Sequence, residues 1–209
     1  MPRPGEPDIY RRRAQAAGYV ARAIYKLKEV DEKYHLFRAG QRILDLGCSP
    51  GSWLQYLASR IGPEGMVVGV DVNPLEIPVS PPLYFVQAEI ASLDFATVTA
   101  LSPVFDVVVS DLAPKTTGTR QVDQQRSLEL AFQAWEWARR LLRPGGHFLV
   151  KVFEGPDTPA LMATLKANFN RCRSIKPAGS RPASREFYLL GLNKRAVPAA
   201  SRTRPTQQP

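Results

Sequence analysis

Thiols and imidazoles are scarce: the 209 residues include two cysteines, Cys48 and Cys172, and two histidines, His35 and His147. None of them stands in a CxxC or Cys/His ligand spacing, which argues against a zinc site. Two thiols make no disulfide framework, so a reducing cytoplasm is the expected setting. No apolar run comes near the roughly 20 residues that a membrane helix needs, and the opening Met1-Pro2-Arg3-Pro4-Gly5-Glu6 lacks the charged-then-apolar layout of a secretory signal. Two common nucleotide signatures are missing as well. There is no G-x-G-x-x-G run to seat a dinucleotide pyrophosphate, and no Gly-Lys-Ser/Thr to make a P-loop. Acids are outnumbered, 19 against 28 lysines and arginines, for a net charge of +9. Such a balance is unusual for an enzyme of small neutral metabolites and points to a polyanionic partner, nucleic acid first.

With 44% hydrophobic residues, a chain of this length suits one α/β domain with appendages. Its organising stretch is Ile43 to Trp53: an apolar run ending in Asp45, a turn with Gly47 and Gly51, and a restart at helical spacing through Leu54 and Leu57. Strand, tight turn and helix start make a nucleotide-type loop, in which glycines admit a ligand to the main chain and the first N–H groups of the helix favour a negative group. Glycine at such a turn also occurs for steric reasons alone, so the neighbours must decide. A second apolar run, Met66 to Val70, ends at Asp71, twenty residues after Gly51. There an acid can accept hydrogen bonds from both hydroxyls of an adenosine ribose. Tyr84 to Ala88 reads as a third strand, followed by Glu89, which suits either an adenine contact or a helix cap. Phe105 to Ser110 is a continuous apolar strand of the buried parallel type, closed by Asp111. Because open α/β sheets bind ligands beyond the carboxyl ends of their strands, Asp45, Asp71, Glu89 and Asp111 are expected along one rim.

Leu128 to Leu142 carries the clearest helical spacing, stopped by Pro144-Gly145-Gly146. The strand His147 to Phe153 then holds Lys151 among large apolar residues, where an uncompensated charge is costly. Leu161, Leu165 and Phe169 mark a further helix, and Arg173–Lys176 and Phe187–Leu192 a closing pair of strands. At the other end, residues 1–35 read as a basic arm, Arg11-Arg12-Arg13 with Tyr10 and Tyr19, leading into an amphipathic helix through Ala23, Leu27, Val30 and Tyr34. Lys26 lies beside that apolar stripe. Residues 36–195 form the expected domain, and 196–209, rich in Pro, Ser, Arg and Gln, the expected disordered tail.

Taken together, the stretches Gly18-Tyr19 through Tyr25-Lys26-Leu27, Asp45-Leu46-Gly47-Cys48-Ser49-Pro50-Gly51-Ser52-Trp53, Ser110-Asp111-Leu112-Ala113-Pro114, Val150-Lys151-Val152-Phe153 and Ser184-Arg185-Glu186-Phe187-Tyr188 resemble the FtsJ/RrmJ family of ribosomal RNA 2'-O-methyltransferases. The resemblance runs from Asp8 to Arg195. It implies a Rossmann-like S-adenosylmethionine-dependent methyltransferase fold, with a seven-stranded, mostly parallel sheet and helices on both faces. It implies a catalytic set of Lys26, Asp111, Lys151 and Glu186, with Lys151 the main base or oxyanion stabiliser, Asp111 orienting it and Glu186 closing the network. The implied S-adenosyl-L-methionine contacts are Gly51, Trp53, Asp71, Glu89 and Asp111. Glu89 departs from the Asp of the family's best-known member and reaches further. The implied substrate is a uridine ribose of large-subunit ribosomal RNA on an assembled or nearly assembled 50S subunit, with no membrane or obligate protein partner. Arg11, Arg12, Arg13, Arg22, Lys28, Lys176, Arg181 and Arg185 would then flank the rim and hold RNA phosphates. A nicotinamide dehydrogenase would need a different loop, and a catalytically idle RNA-binding module would lack at least one of the four catalytic positions. A methyltransferase of tRNA or capped RNA would keep the same chemistry.

Overall fold

The computed structural model describes residues 9–177 and 185–196. The expected disordered tail from residue 197 onward, and Arg181 among the expected phosphate contacts, lie outside the described residues. Continuous apolar stretches such as Val107-Val108-Val109 can be buried on both sides only in the middle of a layered α/β sandwich, and that is where they sit. Seven strands, β1 (Arg42–Leu46), β2 (Met66–Asp71), β3 (Leu83–Gln87), β4 (Phe105–Ser110), β5 (Leu142–Phe153), β6 (Phe169–Ile175) and β7 (Glu186–Lys194), form one sheet in the order β3-β2-β1-β4-β5-β7-β6. All pairings are parallel except those of β7, which runs antiparallel to both β5 and β6. The expected seven-stranded, mostly parallel sheet is therefore present. Strand order reverses at β1 and β4, so the cleft for a ligand opens beyond the carboxyl ends of those two strands.

Alternation along each strand divides the core. One face, with Leu44, Val108, Val150 and Val152, packs under α4 (Phe95–Thr99), α5 (Arg120–Leu141) and α6 (Thr158–Asn168), where Trp135 meets Phe148 and Phe169 at ring distances of 5.9 Å. The other, with Ile43, Val107, Val109, Leu149 and Leu190, packs under α2 (Ile24–Tyr34) and α3 (Ser52–Ile61). Residues of odd number on β1, β4 and β5 thus face α2 and α3.

Four local readings of the sequence differ from the structure. Phe169, expected on a helix with Leu161 and Leu165, opens β6 instead, because α6 ends at Asn168 and Phe169 already pairs with Lys194. The basic arm contains a helix, α1 (Ile9–Ala16), although only its Ala14 is buried; a single contact of this kind leaves no apolar stripe to read. The strand bearing Lys151 starts at Leu142 rather than His147, because α5 ends at Leu141 and Phe105 already pairs with Leu142. Helix α4 is capped by Asp94, whose carboxylate accepts from the Ala96 N–H at 3.0 Å, so the cap reading of Glu89 falls away.

Candidate active site

Gly47 follows the end of β1 with φ +84°, and a Cβ there would lie 2.7 Å from the Leu112 nitrogen and 2.9 Å from its Cα. Only glycine lets the loop lie against the tip of β4 that bears Asp111. Gly51, with φ +120°, caps α3 without any side-chain hydrogen bond, and a Cβ on it would come within 2.8 Å of Ile77. The first N–H groups of α3 are thus left to a ligand. Asp71 ends β2, and its Oδ2 accepts from the Ser49 N–H (2.9 Å) while its Oδ1 accepts from the Asn73 main chain (2.8 Å) and amide (3.1 Å). It fixes the shape of the glycine loop as well as standing at its mouth.

Trp53 is 3% exposed; its indole donates to the Ala23 carbonyl at 3.0 Å, and its ring lies 6.0 Å from that of Tyr188. The side chain is committed to packing, which leaves the main-chain N–H for any ligand contact.

Asp45, expected on the rim with the other acids, is instead fully buried, and neither carboxylate oxygen has a hydrogen-bond partner among the described residues. Burial, and after it the charges of Asp111 and Asp71, push its carboxyl well above the usual range. The reason for the difference is register: Asp45 pairs inside the ladder with Gly69 and Val109, one residue short of the strand end.

Across the switch point lie the residues expected to be catalytic. Lys151, 4% exposed, donates from Nζ to the Asp111 carbonyl at 2.6 Å and lies 3.1 Å from the Asp111 Oδ1. A lysine buried in an apolar strand is thereby compensated by a carboxylate and a carbonyl from the neighbouring strand tip. On β7, Glu186 stands opposite Phe153, and its Oε2 meets the Nζ of Lys26 at 2.7 Å. Lys26 reaches it from the first turn of α2, beside the apolar contacts of Ile24 and Leu27. The structure therefore sets two pairs, Lys151–Asp111 and Lys26–Glu186, two residues apart along the β5–β7 ladder, drawn from α2, β5, β7 and the tip of β4. Glu89 is not among them: it is exposed, two residues beyond β3 at the sheet's far edge.

Tyr188 joins the cluster unforeseen. It pairs with Lys151 across the β5–β7 ladder and donates from its hydroxyl to the Asp111 Oδ1 at 2.6 Å. Burial, then the Asp111 charge, pushes its phenol well above the ordinary value, so it stays a donor. The signal was its spacing: two residues after Glu186 on a strand, it shares that residue's face.

Known proteins similar to this chain are methyltransferases. Residues 19–194 match the family model of FtsJ-like methyltransferases. Over 191 residues the chain is 41% identical to "Ribosomal RNA large subunit methyltransferase E" of Bdellovibrio bacteriovorus, covering 90% of this chain and 97% of that one. It is 43% identical over 190 residues to the protein of the same name from Nitratidesulfovibrio vulgaris, covering 90% and 94%. Among solved structures, a ribosomal RNA methyltransferase from Plasmodium falciparum superposes with a TM-score of 0.75 at 29% identity, over 86% of this chain and 100% of that chain.

Proposed function

The chain belongs to the FtsJ-like methyltransferase family, and we propose that it methylates the 2'-hydroxyl of a uridine ribose in large-subunit ribosomal RNA, using S-adenosyl-L-methionine. Relatives named for large-subunit ribosomal RNA at about 40% identity support the substrate class, and the net charge of +9 suits an RNA partner. The observation that carries the reaction is the meeting of Lys151 with Asp111 and of Lys26 with Glu186 at one sheet edge, beside a glycine loop.

The loop residues fit this cofactor. A cation is favoured beside the carboxylates of Asp71 and Asp111, both near enough to add to the upward shift that burial gives Asp45, whose oxygens are orphaned at the base of the loop. Asp71 would hold the ribose hydroxyls, the N–H groups at Gly51 and Trp53 the carboxylate, and Glu89 the adenine from the edge of the cleft. Bound there, the cofactor supplies a methyl group already activated on a positively charged sulfur.

The protein's task is then to align a weak nucleophile and ease its proton loss. The Lys151 amine has three positions, of which the Asp111 carbonyl and carboxylate take two. The third is available to the ribose hydroxyl, meeting the charge that develops on its oxygen as the O–H proton passes to solvent and the oxygen takes the methyl group. Asp111 orients the amine, and Tyr188 orients Asp111. Lys26, held by Glu186, adds a second positive charge beside the same oxygen.

The direct test incubates the protein and methyl-labelled S-adenosylmethionine separately with large ribosomal subunits, free ribosomal RNA and tRNA, and then maps 2'-O-methyl marks. Labelled uridine in the large-subunit RNA is the expected outcome; transfer to tRNA alone would overturn the substrate assignment, and no transfer to any RNA would overturn the reaction.

A further inference from the structure

Beyond the carboxyl end of β5 the chain forms a second concavity, outside the cleft just described. It is a cavity of about 220 Å³ between the first turns of α5 and α6, with Leu128 and Phe153 among its apolar lining and Gln121, Gln124, Gln125 and Asp157 among its polar one. Drug-sized ligands occupy larger pockets, of roughly 300–1,000 Å³; this one suits a single ring system. Its position is informative. Phe153 lies two residues, about 6.6 Å of strand, beyond Lys151, and stands opposite Glu186, the partner of Lys26. The side chain of Lys151 faces α2 and α3, and by alternation so does that of Phe153; the Phe153 main chain instead meets Ser127 of α5 and Thr158 of α6, and the cavity lies on their side. A single strand of RNA crossing the end of β5 would thus place its reacting ribose on one side and a neighbouring base on the other.

The polar groups favour hydrogen-bond acceptors. One amide N–H of Gln124 goes to the Glu154 carbonyl and one of Gln125 to the Glu129 carboxylate at 3.1 Å, which holds both side chains in place and leaves each its Oε1 as acceptor and one further N–H. Asp157 occupies the N-cap position of α6, but its carboxylate makes no capping bond, which leaves two more acceptor oxygens at the rim. Single-stranded RNA is read by bases splayed from the stack onto apolar surfaces and bonded along their edges. Among the four bases, only guanine presents two adjacent N–H donors, N1–H and N2–H2, on one edge, the pair that a carboxylate accepts side by side.

We infer that the cavity between α5 and α6 is a recognition pocket for a guanine base next to the methylated nucleotide in the substrate RNA, with Asp157 accepting from its Watson–Crick edge. This rests on the RNA 2'-O-methylation proposed above. The pocket would set which site is methylated, while Lys151 and Asp111 set the chemistry.

Asp157→Asn and Gln125→Ala test it in the full chain, since both side chains are exposed and neither holds an element together. The KM for ribosomal RNA should rise about tenfold, the factor of one well-placed base contact, with kcat and the Kd for S-adenosylmethionine unchanged. RNA with inosine, which lacks the N2 amine, in place of a guanine flanking the methylated nucleotide should raise the wild-type KM similarly and make Asp157→Asn nearly neutral. Wild-type methylation with variants of unchanged KM, or equal losses on guanine and inosine RNA, would overturn the pocket and leave the reaction standing. If the wild type methylates no RNA, both fall. A pocket that takes a protein side chain instead would show variants silent on protein-free RNA and impaired only on assembled subunits, which also overturns the guanine assignment.

Discussion

Asp111 accepts from three directions: Lys151 meets both its carbonyl and its carboxylate, and the Tyr188 hydroxyl shares the same Oδ1. Removing the amine, as in Lys151→Ala, should lower methyl transfer by about a thousandfold, in the range of a lost oxyanion contact, while the Kd for S-adenosylmethionine moves less than about threefold; equilibrium binding beside single-turnover rates checks both. Tyr188→Phe removes only the hydroxyl that steadies Asp111. It should lower kcat about tenfold with KM for RNA unchanged, and because the raised phenol stays protonated, it should leave the alkaline limb of the pH–rate profile where it is. Asp45 offers the opposite case, a buried acid with no partner. Its unfolded-state carboxyl loses its proton near 3.8, whereas the folded one holds it to higher pH. The native state then binds more protons in that window, so this residue's contribution to stability falls as pH rises through it. Asp45→Asn should therefore stabilise the fold by about 1–3 kcal/mol at pH 7, a difference that shrinks as the pH is lowered toward 4. Thermal unfolding of both proteins across that range tests the sign.

Lys26 can reach Glu186 only because α2 is fixed over the sheet, and the fixing is polar as much as apolar. Asp31, 2% exposed, accepts from the Phe37 N–H (3.1 Å), the Tyr56 hydroxyl (2.7 Å) and the Arg60 guanidinium (3.0 Å), clamping α2 to α3. The Trp53 indole ties the segment before α2 to the start of α3. Asp31→Ala strands two buried donors and should cost about 3–5 kcal/mol; the same variant should lower kcat at a temperature where it is still folded, whereas Arg60→Ala, which removes a half-exposed side chain and leaves Asp31 two other donors, should do neither strongly. Such a clamp is hard to read in a sequence. Asp31 sits where a helical pattern predicts a solvated acid, and two of its three partners come from a helix twenty-five to twenty-nine residues on. The strands of the parallel sheet and the rim of acids were legible because apolar runs closed by Asp71 and Asp111 mark both strand and edge. The burial of Asp45 was not, since it depends on where the ladder stops, and Tyr188 was not, since its meeting with Lys151 needs the antiparallel placement of β7 between β5 and β6.

At the scale of the whole molecule, two ligands of opposite charge are to be held. Asp71 and Asp111 stand beside the glycine loop with the buried Asp45 behind them, while Arg12 and Arg13 on α1, Lys28 on α2, and Lys176 and Arg185 at the ends of the closing strands are exposed. An acidic cleft draws a cationic cofactor, and basic flanks draw a polyanion; the two ligands should therefore respond differently to salt. If four of these cations neutralise phosphates of single-stranded RNA, log affinity should fall with log salt at a slope of about 2.8, or roughly fiftyfold between 50 and 200 mM. The Kd for S-adenosylmethionine should change less than about twofold over the same interval, because it exchanges few counterions. Removing one participating cation, for instance by Arg12→Ala, should reduce the slope by about 0.7 and weaken all RNA sequences alike. A filter-binding series at five salt concentrations measures the slope directly. A flat line for the wild type would mean that the basic flanks carry no RNA phosphates, and the net charge of +9 would then need another partner.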